Sequence, residues 1–301
     1  MITSVTNPRL KNITKLLSLS KERRKQGLYV IEGPKLFLEA FEAVPESLGE
    51  VYISESFSER LEGQDMFSGP QQEKLRSALL KTGYETVSDA VFKKLSDTKT
   101  PQGIVCVVRG AEISFEPERS KEELFSKEKD LLSGDGSSVT GQVRSFRCLL
   151  LEGIQDPGNF GTMIRTAEAA GFDLIVADHG TADLYNPKTI RSTMGSVFRM
   201  RVAYAADFPG AISFLKEKGV TVYAAHLLGE NFYDEEEYAE KTAILIGNEG
   251  KGLSAEVSAL ADRLVRIPMQ GKTESLNAAV AAALLMFQSR YILANAINCR
   301  F

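Results

Sequence analysis

From residue 147 onward one pattern recurs: a short apolar run, a turn, a stretch with helical spacing, and then the next apolar run. RCLLLEGI, DLIVAD, RMRVAYA, VTVYAAHL, TAILIGN and RLVRIPM are the runs, and helical patterns such as Thr162 to Ala170, Pro209 to Lys218 and Ala255 to Ala261 separate nearly all of them. A strand wetted on one side would alternate apolar and polar residues. These runs stay apolar, so both faces must be covered. That selects an α/β fold with a mostly parallel sheet between layers of helices. The last helical pattern, Leu276 to about Ala296, sets Leu276, Val280, Leu284, Phe287 and Tyr291 at steps of four, four, three and four. Its Ala-rich surface suits close packing on another helix, of the same subunit or of a partner.

Upstream, GLYVIEG, EVYISES, YETVSDAVFKKLSD and GIVCVVRG carry shorter β-branched runs, and helical patterns such as Lys35 to Ala43 and Gln71 to Leu80 lie between them. A smaller α/β domain fits. Between the two regions, EPERSKEELFSKEKD and SGDGSSVTGQ hold too little apolar area to offset the entropy of ordering them, beyond a short helix around Lys121 to Leu132. The expected division is 1–110, a linker or insertion at 111–146, and 147–301. A chain of 301 residues agrees with two domains at roughly 150 residues each.

With 43% hydrophobic and 25% charged residues the chain is globular rather than disordered. No apolar run approaches the roughly 18 residues of a membrane helix. The opening MITSVTNPRLKNITK lacks an apolar secretory core. No membrane association and a cytoplasmic location are therefore expected. Cys106, Cys148 and Cys299 are scattered and odd in number, which argues against a disulfide framework and against a CxxC metal site. His179 and His226 are the only histidines, too few for a multi-histidine metal cluster, and neither lies near a GxSxG nucleophile elbow. The net charge is −4, yet the first 25 residues hold Arg9, Lys11, Lys15, Lys21, Arg23, Arg24 and Lys25 against one acid, Glu22. A solvated helix face and a phosphate-binding face account for this cluster equally well.

Three loops at strand ends carry the polar residues of interest. In Gly153-Ile-Gln-Asp-Pro-Gly-Asn-Phe-Gly-Thr, leading to a helix expected near Thr162, glycines allow close backbone approach, while Asn159 and Arg165 supply an amide and a permanent cation. A plain tight turn with Arg165 at the surface explains that loop as well as a ligand site does. Gly247-Asn-Glu-Gly-Lys-Gly-Leu-Ser has three glycines in six residues and an acceptor in Glu249, and it is not a Walker phosphate loop. Ile267-Pro-Met-Gln-Gly-Lys-Thr-Glu-Ser-Leu-Asn runs into the last helix, with Ser275 where a cap is expected and Asn277, a poor helix former, just inside.

Taken in order, NxGxxxR at Asn159 to Arg165, LIGNEGxG at Leu245 to Gly252 and IPMxGxxxSLN at Ile267 to Asn277 resemble the three signature motifs of the SpoU/TrmH family of RNA ribose 2′-O-methyltransferases, part of the SPOUT superfamily. The resemblance spans essentially all of 147–301. LYVIEGPKLFLEA at 28–40 and TPQGIVCVV at 100–108 are similar to the family's substrate-binding domain, and 111–145 has no counterpart. It implies a SPOUT fold whose carboxyl-terminal chain forms a deep trefoil knot, a homodimer built around that region, S-adenosylmethionine as methyl donor, RNA (ribosomal by analogy) as acceptor, and no metal. It implies donor contacts from Gly247, Ile267, Met269 and Leu276, with Leu227, Asn248 and Gly250, and a catalytic set of Arg165, Asn159, Glu249, Ser275 and Asn277.

A guanidinium stays protonated, so Arg165 is expected to hold the adjacent phosphate and stabilise alkoxide charge, leaving the proton acceptor unassigned. Asn159 and Asn277 are expected to orient Arg165 and the ribose, Ser275 to position Arg165 or a phosphate, and Glu249 to shape the second loop. Two other readings stay open at this stage. Asp178, ending a strand, imitates the ribose-binding acid of a dinucleotide-dependent oxidoreductase, although GxGxxG is absent. A non-catalytic RNA-binding or ribosome-assembly protein on the same fold is the other.

Overall fold

The computed structural model describes residues 1–63, 69–111, 114–116 and 145–298. Most of the expected linker, its Lys121 to Leu132 helix and Cys299 lie outside the described residues. Two compact units emerge: Met1–Ala111 with Asp183–Arg199, and Glu112–Ala182 with Met200–Phe301.

In the first unit, β1 (Leu28–Glu32), β2 (Leu48–Ser54), β3 (Glu85–Val87) and β4 (Ile104–Arg109) form a sheet in the order β1-β4-β2-β3. β4 is antiparallel to both neighbours, and β3 is parallel to β2. Alternate residues feed two cores, as a period of two dictates. Tyr29, Ile31, Ile53, Cys106 and Val108 meet Phe37, Phe57, Leu75 and Leu79 on one face. Val30, Tyr52, Val105 and Val107 meet Leu10, Leu16 and Phe92 on the other. Burial pushes the Cys106 thiol up to about 12, so it is a packing group.

The sequence reading did not anticipate that Asp183–Arg199, from the middle of the later half, packs into this unit. Its helix Pro187–Thr193 adds Ile190 to the first core, and the Tyr185 ring stacks on Tyr29 with centroids 4.2 Å apart. Arg23, 4% exposed, donates to Asp183 Oδ2 at 2.6 Å and to the Leu16 carbonyl at 2.7 Å. Arg9 is paired in a fork with Glu85. Two of the seven cations of the opening segment are thereby withdrawn from any shared basic face. Lys11, Lys15, Lys21, Arg24 and Lys25 remain exposed.

The second unit holds β5 (Ser114–Phe115), β6 (Phe146–Leu151), β7 (Leu174–Ala177), β8 (Val202–Ala205), β9 (Thr221–Ala225), β10 (Asn231–Phe232), β11 (Lys241–Ile246) and β12 (Arg263–Arg266). Their order is β10-β12-β9-β11-β6-β7-β8-β5, and every neighbouring pair is parallel. Cys148 to Leu151 and Ala243 to Leu245 are fully buried, which is why these runs do not alternate. From β6 the chain builds through β7 and β8 to one side, while β11 pairs with β6 on the other, with Leu151 opposite Ile246. The crevice outside the carboxyl ends of strands at such a reversal is where open α/β sheets bind ligands.

Two helix starts differ from expectation. The first begins at Pro157, not Thr162: Asp156 accepts the Asn159 N–H at 2.8 Å as the cap, and Pro157 occupies the first turn, where its missing N–H costs nothing. The last begins at Ala278 rather than Leu276, and it packs against the Pro157–Ala169 helix and β11. Between β9 and β10 the chain presses on its own backbone: a Cβ at Gly229 would lie 2.7 Å from the Val265 carbonyl carbon. Only glycine allows that crossing.

Candidate active site

The three loops meet at the β6/β11 reversal. Gly153, in left-handed geometry (φ 66°), donates its N–H to Asp178 Oδ1 at 2.8 Å. The same oxygen accepts from the Thr181 N–H and hydroxyl at 2.9 and 2.8 Å. Asp178 is thus a strut for the first loop, which removes its likeness to a ribose-binding acid. Asn248 ties the second loop to the first, donating to the Gly153 carbonyl at 2.7 Å while its Oδ1 accepts from the N–H groups of Gly250 and Lys251. Gly247 has no room for a side chain, since a Cβ would stand 2.4 Å from Gly252 and Leu253 backbone atoms.

Glu249 is the centre of the junction. Its carboxylate accepts the N–H of Gln155 (3.1 Å), the N–H of Asp156 (3.2 Å) and the Asn159 side-chain amide (3.1 Å). Partial burial pushes its pKa upward, but the hydrogen bonds from Asn159 and the backbone together outweigh this and hold it below the usual glutamate range. The chain continues into the third loop: Asn277 donates its side-chain amide to Asn159 Oδ1 at 3.0 Å. Asn277 Oδ1 in turn accepts the N–H groups of Ala279 and Val280 at 2.9 and 3.3 Å. Asn277 is therefore the helix cap, the place expected for Ser275, and this is why a poor helix former stands there.

Beside this junction the second and third loops line a cavity of about 320 Å³ that includes Gly247, Ile267, Met269, Leu276, Leu227, Asn248 and Gly250, together with Glu249, Ser275 and His226, and to which the first loop contributes no lining residue. Apolar floor comes from Ile246, Leu253, Ile267 and Leu276. Among the described residues, the backbone of 268–276 makes no hydrogen bond within the protein, so its donors and acceptors are free for a bound molecule. An apolar slot edged by free backbone polar groups suits a purine nucleoside.

The expected catalytic set is only partly assembled. Asn159, Glu249 and Asn277 form one hydrogen-bonded chain, and exposed Ser275 stands on the cavity rim. Arg165 is exposed on the Pro157–Ala169 helix, lines neither this cavity nor the hollow described next, and has no hydrogen-bond or ion-pair partner among the described residues. The orienting partners of Asn159 and Asn277 are thus each other and Glu249, not Arg165. The second hollow, about 550 Å³, is lined by Thr162 and Thr166 of that helix and by Val280, Leu284 and Phe287 of the last one. Sequence reasoning missed Asp156 and gave Asp178 a ligand-binding role where the structure gives it a bracing one. Asp156 was legible from Asp-Pro, a cap followed by a first-turn proline.

The comparisons with known proteins agree with this architecture. The model of the SpoU rRNA methylase family matches residues 147–287, and that of an MRM3-like substrate-binding domain matches residues 7–106. The 23S rRNA (guanosine(2553)-2′-O)-methyltransferase RlmP of Bacillus subtilis is 34% identical over 96% of this chain and 98% of its own length. A crystal structure described as an RNA 2′-O ribose methyltransferase superposes with a TM-score of 0.74 at 30% identity, covering 97% of this chain and 99% of that one. The AdoMet-bound rRNA methyltransferase of Sinorhizobium meliloti gives 0.73 at 27% identity, over 96% of each chain. With a relative this similar along almost its whole length, and with the family model matching residues 147–287, the chain belongs to the SpoU rRNA methylase family.

Proposed function

We propose that this protein is an enzyme that moves the methyl group of S-adenosylmethionine to a ribose 2′-hydroxyl of RNA, with ribosomal RNA as its substrate. One observation carries the reading: the second and third loops, distant in sequence, line a single cavity, and the first loop is tied to both of them by the Glu249–Asn159–Asn277 chain. The activities in the names of the relatives point the same way. When bound, the donor supplies an electrophilic sulfonium methyl.

The protein's own part is placement, since in-line attack needs the oxygen held about 3–3.5 Å from the methyl carbon. Ile267 and Leu276 take up the apolar face of the adenosine, Met269 and Gly247 offer backbone groups, and Leu227, Asn248 and Gly250 close the rim. The ionised Glu249 fixes the first two loops against each other, and Asn277 fixes the third. Arg165, free of protein partners, holds the phosphate beside the target ribose and offsets charge developing on the 2′-oxygen. Ser275 binds at the same edge.

The reading includes a knotted carboxyl-terminal region, supported by the backbone-on-backbone packing at Gly229 and Gly247. It includes a homodimer through the last helix, where Val280 and Phe287 are about half exposed beside the Ala-rich stretch. It also includes a cytoplasmic location. No described helix is long and apolar enough to cross a membrane.

Arg165→Ala tests the catalytic assignment. Methyl transfer is expected to fall by about 10²-fold or more, the scale of removing one charge-stabilising donor, with donor affinity unchanged. Wild-type turnover at saturating donor and RNA would remove Arg165 from the mechanism.

A further inference from the structure

Glu32, the last residue of β1, is 6% exposed, yet its carboxylate has no cationic partner among the described residues. Its Oε1 accepts from the Ser96 hydroxyl (2.7 Å), the Thr98 hydroxyl (3.0 Å) and the Gln102 N–H (3.1 Å), and its Oε2 accepts from the Asp97 N–H (3.3 Å). Four neutral donors thus converge on one buried charge, and all four come from a single loop, residues 96–102. Charge-assisted bonds of this kind are the strong ones, and they fix the loop at both ends.

The fixed loop displays two unpaired side chains. Lys99 is exposed, and neither it nor the Gln102 carboxamide has a hydrogen-bond partner among the described residues. The Gln102 carboxamide lies against Gly33, where a Cβ would come within 2.2 Å of Gln102 Oε1. Gly33 has φ +103° and precedes the helix Pro34–Ala43. The left-handed backbone requires glycine here, and the exposed Gln102 amide rests on it. Lys35 is exposed in the first turn of that helix, which contains no acid, while Arg191 is paired with Asp97 of the loop at 2.8 Å. A rigid loop offering a side-chain amide, flanked by cations, suits an unpaired nucleotide, with base edge on the amide and phosphates on the lysines.

We propose that the 96–102 loop is a nucleotide-reading element of the RNA substrate site, in which Gln102 determines base preference, Lys99 binds phosphate, and Glu32 is the positioning residue. The proposal rests on the reading of the protein as an RNA methyltransferase and adds the residues that choose the RNA. Its test measures affinity directly, with the full chain and RNA hairpins whose loops are all-A, all-C, all-G or all-U. Methyl transfer to deproteinised ribosomal RNA is followed alongside.

Gln102→Ala is expected to flatten the wild-type preference among the four loops by about 5-fold or more, the effect of one well-made base contact. Lys99→Ala weakens all four alike and lowers the salt dependence by about one counterion. Glu32→Gln flattens the preference in the same direction as Gln102→Ala, whereas a merely structural Glu32 would lower the melting temperature and leave the preference alone. Donor affinity stays at the wild-type value in all three. Unchanged preference in folded Gln102→Ala, or no preference in the wild type, overturns the inference. Absence of methyl transfer by the wild type on ribosomal RNA would instead count against the activity, independently of the hairpin result.

Discussion

Glu249 shows how one side chain sets the chemistry of a pocket it only borders. Its carboxylate collects donors from two loops, and because those donors favour the ionised form its pKa is depressed. For a carboxylate lowered in the folded state, the stabilisation is complete above the ordinary glutamate value of about 4.3 and is lost as pH falls through the depressed one. Donor affinity measured by calorimetry should therefore be flat from neutrality down to about pH 5 as far as this group is concerned, and weaken only in more acid solution. Asn159→Ala removes both the side-chain donor to Glu249 and the acceptor of Asn277. Hydrogen bonds to charged groups contribute about 1.5–3 kcal/mol, so a drop in donor affinity on the order of tenfold to a hundredfold is expected. An unchanged dissociation constant would show that the junction does not shape the pocket.

At the scale of elements, the last helix begins where Asn277 caps it, and two substitutions a few residues apart should behave oppositely. Asn277→Ala loses the cap and should lower stability by about 0.5–2 kcal/mol in thermal or urea unfolding. Ser275→Ala, exposed and without a hydrogen-bond partner among the described residues, should stay within about 0.5 kcal/mol of the wild type while methyl transfer falls. Equal destabilisation by both would return the cap to Ser275. The strands were legible because burial on both faces leaves an unbroken apolar run, and the loops because glycine, proline and asparagine punctuate them. The choice between Ser275 and Asn277 was not, because both are good caps and only the backbone decides which N–H groups face which oxygen. β5 and β10, two residues each, are too short to show any periodicity.

At the scale of the molecule, the chain's path was the least readable property. Residues 183–199 have ordinary helix and turn signals, and nothing local says that Ile190 and Tyr185 will complete the core around β1 and β4. The Arg23–Asp183 pair, its guanidinium buried and its carboxylate partly exposed, fastens this segment. Asp183→Ala would leave a guanidinium inside without its anion, at a cost of about 3–5 kcal/mol, read as a lowered denaturation midpoint. A loss under about 1 kcal/mol would mean that the segment is held by packing alone. In the proposed dimer, the half-exposed Phe287 is the corresponding point. Phe287→Asp should convert a dimer to a monomer in light scattering and abolish methyl transfer, and a monomeric wild type would remove the dimer from the proposal.

The most direct measurement follows label from methyl-tritiated S-adenosylmethionine into ribosomal RNA isolated from cells lacking the protein, for the wild type and for Leu276→Arg, which places a charge in the apolar floor of the cavity. The expected result is label in alkali-resistant dinucleotides, the mark of ribose 2′-O-methylation, with the wild type, and none with Leu276→Arg although that variant keeps its fold by circular dichroism. Label on bases, or undiminished transfer by folded Leu276→Arg, would contradict the assignment of the second and third loops to a methyl-donor pocket serving a ribose hydroxyl.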